Sequence, residues 1–173
     1  MGFSVVIASS IVLIGIIAAF VSVSTTLLYS FGELNKAASD YLEREQERLD
    51  VHLDLDVNSV DATSCNVTVK NLGSKTIFLT SQNGFQWNSV IVSYENDSQW
   101  HSYLIENYKI LEVRVSGTNA TFNATTHSFI NPGEEAQISF TVPQDAPDIP
   151  SNGVVNVVFV THYGISAKKE AVR

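Results

Sequence analysis

Residues 3–31 read FSVVIASSIVLIGIIAAFVSVSTTLLYSF. None of these 29 residues is charged, and the first charged side chain of the chain belongs to Glu33. About 20 apolar residues, at roughly 1.5 Å each, are enough to cross the hydrocarbon core of a bilayer. A secretory signal peptide would have a basic start and a shorter apolar core. The run therefore predicts a single membrane-spanning helix over residues 1–32.

A charged stretch follows directly and reads ELNKAASDYLEREQERLD over residues 33–50. It contains helix formers and no proline, and its apolar residues continue the spacing of three and four that begins inside the first segment. Leu27, Phe31, Leu34, Ala38 and Tyr41 carry this spacing. We therefore predict that one helix leaves the lipid and continues as a short helical stalk.

The apolar pattern changes to a period of two near Val51, and alternation of this kind is typical of strands with one buried and one wet face. Turn signals rich in Asn, Gly, Pro and Ser separate the runs. The segment VVNVVFV at 154–160 is apolar on both faces, which predicts a central strand or one paired at an interface. Residues 51–173 are thus predicted to form a mainly β domain, an antiparallel sandwich, and their length suffices for seven or eight strands. The alternating apolar residues are Val51, Leu53, Leu55, Val57, Cys65, Val67, Val69, Ala136, Ile138, Phe140 and Val142.

The composition excludes some classes of function. All 18 acidic and 10 basic residues lie after Gly32, and the net charge is −8, which disfavours nucleic acid as a partner. Cys65 is the single cysteine, so no internal disulfide forms. The four histidines have no metal-ligand spacing, and no phosphate-binding loop or nucleophile motif is present. We expect neither an enzyme nor a bound cofactor or metal.

Two signals bear on orientation. Lys36, Arg44 and Arg48 follow the apolar run and, by the positive-inside rule, would place the domain in the cytoplasm. Four Asn-X-Ser/Thr sequons argue for an extracellular domain that carries N-linked glycans, and we favour this orientation. The sequon asparagines are Asn66, Asn96, Asn119 and Asn123.

Aromatic residues cluster between Phe85 and Tyr108, and such residues serve both β cores and protein interfaces. We expect most of them in the core. Trp100 follows the polar stretch ENDSQ and is the best candidate for an exposed interface residue, together with Tyr103.

The opening MGFSVVIASSIVLIGIIAAF resembles the start of the F-type accessory proteins of the archaeal archaellum (FlaF or ArlF), within the archaellin and type IV pilin-like superfamily. The resemblance implies an immunoglobulin-like sandwich that lies between the cell membrane and the S-layer. It implies a stator role, binding of the S-layer protein, a companion of the G type, contact with filament subunits and a homodimer.

The main alternative is a filament subunit, an archaellin or a type IV-like pilin, because these share the plan of an N-terminal helix and a β domain. Their precursors usually carry a basic leader that ends near a glycine. No Lys or Arg precedes Gly2, so the sequence favours an uncleaved anchor. A generic membrane-anchored glycoprotein that binds another surface protein is the third interpretation.

Overall fold

The computed structural model describes residues 2–81, 83–105 and 107–173. The chain forms two compact units, Met1–Glu45 and Gln46–Arg173. The first is the greater part of one helix, α1, which runs without a break over Gly2–Leu49. The predicted continuous helix is therefore confirmed, and Gly32 lies inside it.

The second unit contains eleven strands among the described residues. They are β1 (Leu53–Val60), β2 (Ser64–Asn71), β3 (Ile77–Phe78), β4 (Ser89–Asn96), β5 (Gln99–Ile105), β6 (Tyr108–Val115), β7 (Thr121–Phe122), β8 (Phe129–Ile130), β9 (Glu134–Thr141), β10 (Val154–Val160) and β11 (Ser166–Val172).

Two antiparallel sheets form the body of the domain. The five-stranded sheet has the order β1-β2-β9-β6-β7, and the four-stranded sheet has the order β11-β10-β4-β5. Strands β3 and β8 form a small separate pair. Strand β10 is central in its sheet, as its apolar sequence predicted. The fold is thus mainly β, with an N-terminal helix and an antiparallel sandwich.

The core lies between the two sheets and contains the side chains that the period-two pattern assigned to it. Cys65, Val67 and Val69 of β2 and Ala136 and Ile138 of β9 are fully buried. They meet apolar side chains of the four-stranded sheet in the same cluster, including Val92, Val157 and Phe159. Burial of this kind contributes about 25 cal/mol per Å² of apolar surface, so the core is the main source of stability.

Asp56 of β1 forms ion pairs with Lys70 of β2 and with Lys169 of β11, and the second pair joins the two sheets. The Asp56 carboxylate accepts hydrogen bonds from Lys70 Nζ at 2.8 Å and lies 3.1 Å from Lys169 Nζ. These two ammonium groups lower the pKa of Asp56, and Asp56 in turn raises the pKa of Lys70.

The chain enters the domain at Asp50, where a glycine permits close packing. A Cβ atom at Gly73 would lie 2.4 Å from the Asp50 carbonyl oxygen and 2.5 Å from the His52 nitrogen. Ser74 N donates to the Asp50 carbonyl at 2.8 Å, and Leu72 N donates to the His52 carbonyl at 2.8 Å. The loop after β2 is thereby bonded to the entering chain.

Candidate interaction surfaces

The helix α1 carries an uninterrupted apolar surface. Its side chains from Phe3 to Phe31 are almost all exposed, and the helix is long and apolar enough to cross a membrane by length and composition. The hydroxyl groups of Ser9, Ser10, Thr25 and Thr26 donate to carbonyls of the preceding turn, as Ser10 Oγ does to the Val6 carbonyl at 2.9 Å and Thr26 Oγ1 to the Ser22 carbonyl at 2.9 Å. Because these hydroxyls already have partners, the surface suits lipid or neighbouring helices better than water.

The two predicted interface residues face opposite sides of β5. Trp100 is 64% exposed and lies opposite Glu95 of β4. Tyr103 packs on the core, with its ring centroid 6.1 Å from that of Tyr94, and its hydroxyl is 3.4 Å from His101 Nδ1. Trp100 is therefore accessible to a partner, whereas Tyr103 helps to position the strand. An interface role for either residue stays a prediction.

The other aromatic residues divide between core and surface. Tyr94 and Tyr108 are buried, and burial raises the pKa of each to about 12. Phe85 and Trp87 are 61% and 48% exposed in the segment between β3 and β4, where their rings meet edge to face at 5.3 Å. Three of the six aromatic residues, Tyr94, Tyr103 and Tyr108, thus lie in or against the core, and the other three are exposed.

The four sequon asparagines all reach the surface of the domain. Asn66 lies on the outer face of β2, with its Nδ2 2.9 Å from Ser59 Oγ, and Asn96 ends β4. Asn119 and Asn123 are exposed on either side of β7, and Asn123 Oδ1 accepts a hydrogen bond from Thr125 N at 2.8 Å. Occupancy by glycans stays a prediction for each.

A histidine holds the segment that carries two of these sequons. The His127 ring stacks on Phe122 at 4.5 Å and contacts Phe129 at 4.0 Å. Its Nε2 lies 2.9 Å from Glu134 Oε2, which also accepts a hydrogen bond from Asn131 N at 2.8 Å. Burial alone would raise the pKa of Glu134, but the bonds from His127 and Asn131 outweigh burial and lower it. Sequence reasoning missed this cluster, because its members are close only through the pairing of short strands.

The described residues contain neither a reactive thiol nor a metal-binding cluster. Cys65 is buried, and burial raises the pKa of its thiol to about 12. Within residues 2–81, 83–105 and 107–173, no three His, Cys, Asp or Glu side chains are grouped to hold a metal ion.

Comparison with solved structures finds the same plan elsewhere. A chain of the archaeal flagellum of Methanospirillum hungatei strain JF1 is similar with a TM-score of 0.62 and 14% identity, over 96% of this chain and 92% of that one. At this identity the similarity shows the fold, a long N-terminal helix with a β domain, and nothing finer. No protein-family model matches the chain, and a search of curated proteins gives no match.

Two structures from Sulfolobus acidocaldarius are less similar. The archaellum periplasmic stator protein FlaG has a TM-score of 0.41 at 16% identity, over 70% of this chain and 99% of that one. The complex of the archaellum periplasmic stator proteins FlaF and FlaG gives 0.42 at 16% identity, over 70% of this chain and 88% of its own. With TM-scores below 0.5, neither supports an inference about this chain.

Proposed function

We propose that this chain is a non-enzymatic, membrane-anchored component of an archaeal archaellum. In this proposal residues 1–32 span the cell membrane, residues 33–50 form a stalk, and residues 51–173 lie outside the cell below the S-layer. The observation that carries the proposal is the exposed, charge-free surface of α1 from Phe3 to Phe31, which is continuous with a charged segment that begins at Glu33. Lipid suits the first part, and water suits the second.

The stator role is the form of this function that we favour. A rotating filament transmits a counter-torque, so the motor or the filament base requires a fixed attachment. The spanning helix would supply the hold on the membrane, and the sandwich would bind the S-layer protein and a companion protein of the G type. The stalk supports this role, because its 17 helical residues from Glu33 to Leu49 carry charged side chains that suit water and would extend about 25 Å.

A filament subunit is the second candidate, and the similarity to the M. hungatei flagellum over almost the whole chain favours it. In that case the apolar surface of α1 would pack against helices of neighbouring copies instead of lipid. The small residues Ser9, Ser10, Gly15, Ala18 and Ala19 would permit such close packing.

Fractionation of the native cells separates the two candidates. Sheared filaments and washed envelopes are compared by quantitative mass spectrometry, with the major filament protein as the reference. The stator role predicts enrichment in the envelope and capture of the S-layer protein by the full-length, detergent-solubilised chain. Recovery in filaments in amounts comparable to the major subunit, without S-layer binding, would replace it by the subunit role.

A further inference from the structure

Strand β5 is an edge strand without the usual protection. It pairs with β4 on one side and ends the order of its sheet. Its sequence, QWHSYLI, contains no Asp, Glu, Lys, Arg or Pro. Edge strands normally carry such residues because they prevent pairing with another chain. The opposite edge strand, β11, has Lys168, Lys169 and Glu170 in succession, and β1 has Asp54 and Asp56.

The outer face beside this edge carries exposed apolar side chains among polar ones such as Glu95 and Ser102. Trp100 and Leu104 of β5 are 64% and 56% exposed, and Leu104 lies opposite Ile91 of β4, which in turn lies opposite Val158 of β10. Val154 adds a further exposed side chain on the same face. A sheet face in contact with water is normally polar, as alternation along the strand requires.

The outer face of the five-stranded sheet provides the contrast. It carries ion pairs between Lys70 and Asp56 and between Arg114 and Glu135. The outer face of the four-stranded sheet also carries charges, since Lys168 pairs with Glu170 at 3.2 Å, but its part on β4 and β5 has the exposed Trp100 and Leu104 and no Lys or Arg. An unprotected edge flanked by the exposed Trp100 and Leu104 indicates that this side of the four-stranded sheet has a partner.

Space for an extended chain exists at this edge. A groove of about 390 Å³ is lined by Leu104 and Ile105 of β5, by Asn107, and by residues Thr141, Val142, Pro143 and Gln144. A second groove, of about 640 Å³, begins at the hairpin between β4 and β5. Trp100 lines it together with the carboxylates of Glu95 and Asp97, and it reaches Glu170 of β11, which pairs with Lys168 at 3.2 Å.

We propose that β5 binds an extended segment of a partner protein as an additional antiparallel or parallel strand. The main chain of the segment bonds to the free edge, its alternate apolar side chains cover Leu104 and Trp100, and a Lys or Arg side chain lies beside Glu95 and Asp97. Main-chain bonds supply affinity in such strand addition, and the side chains supply specificity. The carboxylates attract the bound cation electrostatically, and the face of the Trp100 ring adds a cation–π interaction.

A second copy of this chain fits the edge less well. Its own β5 carries no cation, and its hairpin would bring further carboxylates toward a chain whose net charge is already −8. The inference deepens the proposed function, since it names the strand through which the sandwich would hold its partner and the chemistry of that partner.

Peptide binding to the full-length protein in detergent tests the proposal. The chain has two tryptophans, so Trp87→Phe leaves Trp100 as the reporter at the site. The probe is the acetylated, amidated peptide KVTVTVK, and the controls are KVPVPVK, which cannot form strand bonds, and EVTVTVE, which reverses the charge. We expect a saturable change in Trp100 emission with KVTVTVK and at least tenfold weaker binding of both controls.

Matched variants locate the site. Leu104→Lys places a charge on the edge and should weaken binding at least tenfold, whereas Leu111→Lys, at an exposed leucine of β6 in the other sheet, should change it less than twofold. Asp97→Asn, at a turn residue with φ 51° that asparagine also adopts, should weaken binding about threefold and reduce its dependence on salt.

Three results would overturn the proposal: no saturable change, equal binding of KVPVPVK, or equal binding by Leu104→Lys. Light scattering tests whether a second copy of this chain binds the edge instead. A dimer that the Leu104→Lys substitution dissociates would assign the edge to a second copy. Cell fractionation tests the proposed function separately, so envelope location without peptide binding would leave that function in place and remove this inference alone.

Discussion

Glu134→Gln is the substitution whose effect the structure defines best. Glu134 is 8% exposed, and its carboxylate accepts from three donors: His127 Nε2 at 2.9 Å, Asn131 N at 2.8 Å and Asn131 Nδ2 at 3.3 Å. Glutamine keeps the shape of the side chain, but it removes the charge and turns an amide donor toward groups that donate. The variant should fold, but the hydrogen bonds that fix the segment between β7 and β8 should be weaker.

The magnitude follows from these bonds. A hydrogen bond to a charged group contributes about 1.5–3 kcal/mol and a neutral one about 0.5–1.5 kcal/mol. The two shorter bonds should each lose about 1 kcal/mol, and one donor without an acceptor adds about 1 kcal/mol, so the free energy of unfolding falls by about 3 kcal/mol. For a domain of this size that corresponds to a decrease in Tm of about 10 °C.

The effect depends on pH with a defined sign. The pKa of Glu134 in the folded protein lies below its ordinary value of 4.5. A carboxylate of this kind stabilises the fold above its unfolded pKa, and the stabilisation is lost as the pH falls through the folded pKa. The difference in Tm between the native chain and Glu134→Gln should therefore be largest at neutral pH and shrink below about pH 4.5.

Thermal unfolding of the full-length protein in detergent, followed by tryptophan emission, measures this difference. Both tryptophans lie in the β domain, so the signal reports on the sandwich. Glu95→Gln, at an exposed carboxylate, is the matched control and should shift the Tm by less than 2 °C, about the effect of a typical surface substitution. A Tm for Glu134→Gln within 2 °C of the native value at pH 7, about the size of that control effect, would refute the reasoning.

Further predictions address the core, the cysteine and the sequons. Phe159→Ala removes a fully buried ring and should lower the free energy of unfolding by about 3–5 kcal/mol in urea titrations, whereas a loss below about 1 kcal/mol would contradict the packing described. Cys65 should resist maleimide at pH 8 in the native protein and react in denaturant, since its thiol is buried with a pKa of about 12; rapid native labelling would show that the sandwich opens there. Asn123 should carry a glycan in protein from its native cells, because its side chain is exposed and Thr125 lies within its turn; mass spectrometry that finds only the unmodified peptide would disprove this.

The central strands could be predicted from the sequence, and the edge strands of one sheet could not. Alternation identified β1, β2 and β9 because one face of each strand packs on the core, so one alternate set of side chains must be apolar. The edge strands β5 and β11 were not predicted from the sequence. The sequence SAKKEAV of β11 has three successive charges, and the polar stretch before Trp100 conceals a hairpin with Asp97 and Ser98 at positive φ.

The solvent exposure of Phe85 and Trp87 could not be predicted from the sequence either. Phe85 and Trp87 have the composition of core residues, and only the bridge between Thr80 and Gln86 places their segment outside the sheets. The contacts of His127 depend in the same way on long-range pairing. Trp100 was the exception, because the polar residues around it already indicated a surface position.

The junction at Gly73 has a mechanical consequence. A pull along the entering chain that passes Glu47 next reaches Asp50 and His52, and the backbone bonds of Ser74 and Leu72 transmit it to the loop after β2. The Lys75–Glu47 contact, at 3.5 Å, bears part of the same load. Several bonds loaded together resist rupture better than bonds broken one by one, so this joint would let the sandwich withstand tension without unravelling from β1. A larger residue in place of Gly73 would clash with the backbone at Asp50 and His52 and break these hydrogen bonds. The force needed to unfold the domain would then be lower.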